Sequence, residues 1–155
     1  MTTAGEAWPD LAGRIVEDAD GVRHILPIRV YFEDTDFSGL VYHATYLRWI
    51  ERGRSDLLRL RGIHHAALMA GEGSTPAAFV VRRMSLDFLK PARIDDVLEV
   101  ETRIGGVTKA TLELKQRVTR SGTELFRASV LVVLVSTAGR PLRLPPEILS
   151  AFGLR

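Results

Sequence analysis

Apolar residues between Ala44 and Arg61 fall at Tyr46, Ile50, Gly53, Leu57 and Leu60, the spacing of one helix face, while Arg48, Arg52, Asp56 and Arg59 take other positions. The pattern predicts one long helix. Gly53 in its middle costs about 1 kcal/mol relative to alanine, so something is expected to pack against the backbone there, and a sheet wrapped tightly around the helix would do so. Gly62 stops the helix, and His64 to Gly73 reads as a weaker helical turn leading to the loop GEGSTP.

After that loop the period is two. Leu98, Val100, Thr102 and Ile104 alternate with Glu99, Glu101 and Arg103, and Ala110, Leu112 and Leu114 alternate with Lys109, Thr111, Glu113 and Lys115. Gly105-Gly106 between the two runs predicts the turn of a hairpin with one wet face. Phe79 to Lys90 and Leu125 to Ser136 bring the successive strands to four, and the apolar ASVLVVLV of the last suits a place near the centre of a sheet. Upstream, GRIVEDADGVRHILPIRV suggests two short extended segments around an Asp20-Gly21 turn, and Ile28 to Phe32 delivers the chain into an acidic loop. His24 in this stretch has no obvious partner. The tail turns through its prolines and can close with a short helix.

One strand, one long helix and four further strands predict an α+β domain, a five-stranded antiparallel sheet wrapped around one central helix. Residues 1–24 are assigned to an N-terminal arm and 25–155 to a single domain. A one-layer sheet leaves its edges exposed, so dimerisation by edge pairing is expected.

The chain has 155 residues, 46% of them apolar, enough for a core within one domain. It has no cysteine, which excludes disulfides, thiolate metal sites and thiol nucleophiles. Lysine occurs only at 90, 109 and 115, so arginine dominates the 21 basic residues; the net charge is nonetheless only +2. No basic cluster interleaves with aromatics, and a nucleic-acid surface is not indicated. The start of the chain lacks the basic flank and apolar block of a secretory signal, and no apolar run reaches membrane-spanning length; a cytoplasmic protein is expected.

Candidate chemistry concentrates in EDTDFSGLVYH, residues 33 to 43. A solvated turn is one reading, since Asp, Ser and Gly satisfy loop backbone locally. A calcium loop is a second: Asp34, Asp36, Ser38 and Gly39 match the start of an EF-hand, but its twelfth position, which needs a bidentate glutamate, is Thr45. A third is catalytic. The loop leads into the start of the long helix, where unpaired amides and the helix dipole can hold an oxyanion, and a carboxylate just before them can attack an acyl carbon or activate water. Asp36 and the amides near Tyr42 and His43 suffice, with Gly39 letting the backbone come close to the acyl group.

The stretch RVYFEDTDFSGLVYHATYLRWIERGRSDLL resembles the signature of hotdog-fold acyl-CoA thioesterases of the 4-hydroxybenzoyl-CoA thioesterase family, most closely those associated with Tol-Pal. DFLKPARIDDVLEVET, the Gly-Gly hairpin, the last apolar strand and GRPLRLP extend the likeness over nearly all of the chain after the arm. The resemblance implies a hydrolase that cleaves an acyl-CoA, short to medium chains favoured, to free acid and CoA. Asp36 becomes the catalytic carboxylate; His43 gives its amide, and its imidazole is a candidate for proton transfer. Tyr42, Gly39 and Glu51 are expected at the substrate, Glu51 on a helix position that faces the acyl group in some relatives. Phe37-Ser38 departs from the small residues frequent there, which touches the acyl pocket rather than the chemistry. Arg82, Arg83 and Arg93 are candidates for the CoA phosphates.

No metal and no cofactor is implied, acyl-CoA being substrate and CoA product. A homodimer or homotetramer with its site at a subunit interface is expected, and acyl carrier protein is a candidate partner. The expected location is the cytoplasm, with the inner face of the membrane as a place of association. The rival reading keeps the same frame as a binding module for acyl carrier protein or an envelope-associated complex, with little catalysis.

Overall fold

The computed structural model describes residues 10–71 and 75–154. One antiparallel sheet carries six strands in the order β1-β2-β4-β5-β6-β3: β1 (Arg14–Asp18), β2 (Gly21–Arg29), β3 (Ala77–Phe88), β4 (Val97–Val107), β5 (Thr111–Arg120) and β6 (Thr123–Ser136). The long helix α1 (Thr45–Leu60) lies against it, and two short helices, α2 (His65–Ala70) and α3 (Pro146–Ala151), close one end. This is the hotdog arrangement, with six strands where five are expected.

The added strand is β1, which pairs with β2 from Arg14↔Ile25 to Asp18↔Gly21. Residues 14–24, assigned on sequence to the arm, are therefore part of the sheet, while residues 1–9 lie outside the described residues. What fixes this hairpin is distant in sequence. His24 is fully buried, its Nε2 stands 2.6 Å from Asp56 Oδ2 on α1, and a Cβ on Gly13 would come within 1.8 Å of that same oxygen. A buried imidazole facing a carboxylate joins the hairpin to the helix, and only glycine lets the chain cross over the pair.

Tyr46, Trp49, Ile50, Gly53 and Leu57 form the buried stripe of α1, packed on Leu98, Val100, Val118, Phe126 and Val130 of the sheet. Leu60, expected in that stripe, is exposed, and Leu58 is buried in its place within a second cluster with Ile63, Ala77, Leu134, Leu144 and Ile148. The last turn of α1 is thus turned towards the core that α3 and its approach complete. At Gly53 the expected close neighbour is present. A Cβ there would stand 3.0 Å from Thr102 Oγ1 and from Val100 Cγ1, and 3.3 Å from Gln116 Nε2. Gln116 cannot retreat, because its Nε2 donates to the Ile50 carbonyl and to Thr102 Oγ1, both at 2.8 Å, and its Oε1 accepts from Arg54 at 3.2 Å.

Two further expectations shift. Gly105-Gly106 does not make the hairpin turn but lies inside β4, where the register slips between Ile104 and Val107. The reversal falls at Thr108–Ala110, held by the Thr108 amide donating to the Thr111 carbonyl at 2.9 Å and by the Thr111 amide donating to Thr108 Oγ1 at 3.1 Å. The glycines absorb a bulge, and a threonine hydroxyl supplies the turn. Strand β6 is interior, between β5 and β3, but one place from the edge rather than central. The outer edge of β3 has no strand partner among the described residues, and Val80 and Val81 on it are exposed.

Replacing Gly53 with alanine adds a methyl group among three immobile neighbours, and the overpacking exceeds the gain in helix propensity. The expected result is a net loss of about 1 kcal/mol, a fall in Tm of about 2–4 °C for a chain of this size. Thermal and urea unfolding of the Gly53→Ala variant measure it; a stabilised variant would contradict the close packing.

Candidate active site

Between β2 and α1 the chain makes a 3-10 turn at Phe32–Asp34, a tight turn from Asp36 to Gly39, and single bridges Thr35↔Val41 and Leu40↔Arg93 before the helix begins. Its own backbone holds it. The Asp36 amide donates to the Leu40 carbonyl, and the Gly39 amide to the Asp36 carbonyl, each at 3.0 Å; Gly39 takes φ +78°, which a side chain would strain. Asp34 is structural: its Oδ2 accepts from the Tyr31 amide at 2.8 Å and its carbonyl from the Tyr42 amide at 2.9 Å. Of the positions that suggest a calcium loop, Asp34 is thus turned to backbone. Among the described residues no three His, Asp or Glu side chains come together as a metal site.

Asp36 is exposed, and one of its oxygens does all the local bonding. Oδ1 accepts from the Ser38 amide at 2.8 Å and from the Ser38 hydroxyl, whereas Oδ2 has no hydrogen-bond partner among the described residues. The Ser38 hydroxyl first, then its amide, and the nearby His43 hold this carboxyl below the ordinary carboxylate value. The group is therefore ionised at neutral pH with one oxygen free.

His43 stands at the mouth of the helix, exposed, its ring 4.5 Å from Tyr42 and edge-on to Phe88 at 6.3 Å. The Tyr42 amide, expected to bind substrate oxygen, is already engaged by Asp34; the amides of His43 and Ala44 have no acceptor among the described residues. Ala44 is the N-cap and brings no side-chain oxygen to the helix start. Beside it a recess of about 230 Å³ is lined by Leu40, Val41, His43, Tyr46, Phe88 and Leu89 among others. Tyr46 stacks on Phe126 at 4.9 Å and Phe88 packs edge-on to both. Burial pushes the Tyr46 phenol above its ordinary value, so it is neutral in this apolar wall.

The structure thus brings together Asp36, Gly39, Tyr42 and His43, and sets Glu51 apart. Glu51 lies nearly two turns into α1, on an open groove of about 460 Å³ shared with Leu47, Arg48, Arg52, Arg54 and Met84. Arg82 and Arg83 are exposed on β3, and Arg93 is exposed beside the loop. Sequence reasoning named Ser38 as a calcium-loop position and as a departure near the acyl pocket but missed its role as the partner of Asp36; its position two residues after that aspartate is the one signal of the turn it makes.

The pattern of the thioesterase superfamily matches residues 38–126, more than half of the chain. This protein belongs to the thioesterase superfamily. It is 42% identical over 128 residues, 81% of this chain and 92% of the relative, to the acyl-CoA thioester hydrolase YbgC of Escherichia coli O6:H1. It is 39% identical over 127 residues, 81% of this chain and 91% of the relative, to the acyl-CoA thioesterase YbgC of Haemophilus influenzae. A probable thioesterase from Bartonella henselae superposes with a TM-score of 0.77 at 41% identity, over 79% of this chain and 99% of that one. A 4-hydroxybenzoyl CoA thioesterase complexed with 4-hydroxybenzoyl CoA gives a TM-score of 0.77 at 19% identity, over 83% of this chain and 97% of that one, a likeness of fold alone. The membership agrees with the resemblance read from the sequence.

Because the Ser38 hydroxyl is the foremost cause of the low Asp36 value, Ser38→Ala leaves only the amide bond and raises it. Carboxylate NMR titration of the two proteins is expected to show the Asp36 midpoint moving up in pH. An unchanged midpoint would mean that the hydroxyl does not hold the carboxylate.

Proposed function

We propose that this thioesterase-superfamily protein hydrolyses acyl-CoA at the acidic loop, with Asp36 as the catalytic carboxylate. The observation that carries the reading is the pairing of a carboxylate oxygen left free at Asp36 with an uncapped helix start, beside an apolar recess. The thioester carbonyl lies against the His43 and Ala44 amides, where the helix dipole favours the charge that develops on oxygen. Water adds at the acyl carbon, the carbon–sulfur bond breaks, and the products are the carboxylic acid and the CoA thiol. Direct attack by Asp36 and proton removal from water need the same free oxygen. The His43 imidazole, exposed at the same mouth, is placed to pass a proton.

The acyl group enters the recess walled by Tyr46 and Phe88, and short to medium chains suit its size. The unpartnered β3 edge supports assembly into a homodimer or a dimer of dimers, in which the Glu51 groove faces a second copy and Arg82, Arg83 and Arg93 are candidates for the CoA phosphates. Acyl carrier protein, which is acidic, is a candidate partner for such an arginine-bearing surface. No helix among the described residues is long and apolar enough to cross a membrane, and the reading places the protein in the cytoplasm, with contact at the inner membrane face through partners.

Release of CoA from short, medium, long and aromatic acyl-CoAs, followed with a thiol reagent, tests this directly, since the chain has no cysteine to contribute background. Turnover of a short or medium acyl-CoA above the others is expected. No turnover of any, together with salt-sensitive capture of acyl carrier protein, would replace the hydrolase with a binding module.

A further inference from the structure

Glu51 has arginines at positions 48, 52 and 54 around it, so a surface ion pair is its simplest fate. None forms within 4.0 Å among the described residues. The carboxylate is held by a neutral group instead: Ser55 Oγ, one turn along α1, donates to Glu51 Oε1 at 2.8 Å. Ser55 is in turn met by His65 of α2, whose Nε2 lies 3.1 Å from Oγ. A serine hydroxyl has one proton. With that proton given to Glu51, the His65 Nε2 must carry the hydrogen that Oγ accepts, and the chain runs in one direction from imidazole through hydroxyl to carboxylate.

We infer that the open groove beside Glu51 takes a polar part of the acyl-CoA whose acyl group fills the recess, and that Ser55 and His65 are positioning residues that hold Glu51 there and keep it from pairing with the neighbouring arginines. Oε1 is fixed by the chain, and Oε2 is left without a partner among the described residues, available to a water or to the polar part of an acyl-CoA lying in the groove. A salt bridge to Arg48 or Arg54 would engage the carboxylate with a cation. The hydrogen bond from Ser55, one turn along, engages Oε1 with a neutral hydroxyl instead, and the bond from α2 keeps the Ser55 rotor from choosing another acceptor. The inference rests on the thioesterase reading and extends it to a second carboxylate, separate from Asp36.

Steady-state kinetics on the best acyl-CoA test it with Ser55→Ala, Ser55→Thr, His65→Ala, His65→Gln and Glu51→Gln, alone and with Ser55→Ala added to Glu51→Gln, and with thermal unfolding of each. Ser55→Ala is expected to lower kcat about tenfold, the scale of one hydrogen bond to a charged group, with KM little changed. Ser55→Thr, which keeps the hydroxyl, and His65→Gln, which keeps an N–H, should recover most of the loss, and Ser55→Ala should cost nothing further once Glu51 is glutamine. A lowered Tm with wild-type kcat in Ser55→Ala would overturn the inference, leaving a contact that only fastens α2 to α1. So would a loss that persists in the Glu51→Gln background. A wild-type protein inactive on every acyl-CoA would overturn the thioesterase reading and this inference together, whereas an active one with an indifferent Ser55→Ala overturns the inference alone.

Discussion

The close approach of α1 to the sheet at Gly53 governs where everything functional lies. Gln116 reaches from β5 to the Ile50 carbonyl and to Thr102, so a buried amide satisfies a helix carbonyl and a strand hydroxyl at once, in the space a side chain at Gly53 would occupy. Such a network is strong only when every member is satisfied, and here the far oxygen of Gln116 is taken up by Arg54. The helix is thereby fixed in depth and rotation. Its uncapped start is presented beside the acidic loop, and Glu51 is presented on the groove instead of the core, with Ser55 bonded to it.

The loop illustrates how local bonding and chemistry share the same residues. Asp34 and the Asp36–Gly39 turn consume almost all of the loop's polar capacity internally, which is what a plain solvated turn would do. Two features exceed that account: an ionised carboxylate, bonded by Ser38 on one oxygen, whose other oxygen has no partner among the described residues, and two amides at the helix mouth with no acceptor among them. The charge lies in the loop just before the helix mouth, and the donors lie at the mouth beside the apolar recess. That is the arrangement an acyl transfer to water requires.

The helix, the alternation in β4 and β5 and the acidic loop were legible in the sequence because each is written in residues close together along the chain. The two extended segments around Asp20-Gly21 were legible as well, but not that the first of them joins the sheet as a sixth strand, since β1 is secured by His24 meeting Asp56, 32 positions away, and by Gly13 lying over them. Gly105-Gly106 misled for a related reason: two glycines signal a turn, but a nearby threonine hydroxyl made the better one and the glycines were left to absorb a bulge. At the site, residue types pointed to Asp36 and His43. Which amides were free depended on Asp34 having claimed Tyr42, and the His65 that backs Ser55 comes from a second helix, so neither could be read from spacing.

The central claim is that the free oxygen of Asp36 does the chemistry. Asp36→Asn keeps the size of the side chain, and an amide oxygen can still accept from Ser38, so the loop and the fold survive while the ionised carboxylate is lost. Comparing kcat/KM of this variant with wild type on the best acyl-CoA, with thermal unfolding to confirm equal stability, is the most direct measurement. The account predicts a loss of about 100-fold or more, about 2.7 kcal/mol of barrier. A folded Asp36→Asn variant that hydrolyses acyl-CoA as fast as wild type would contradict it.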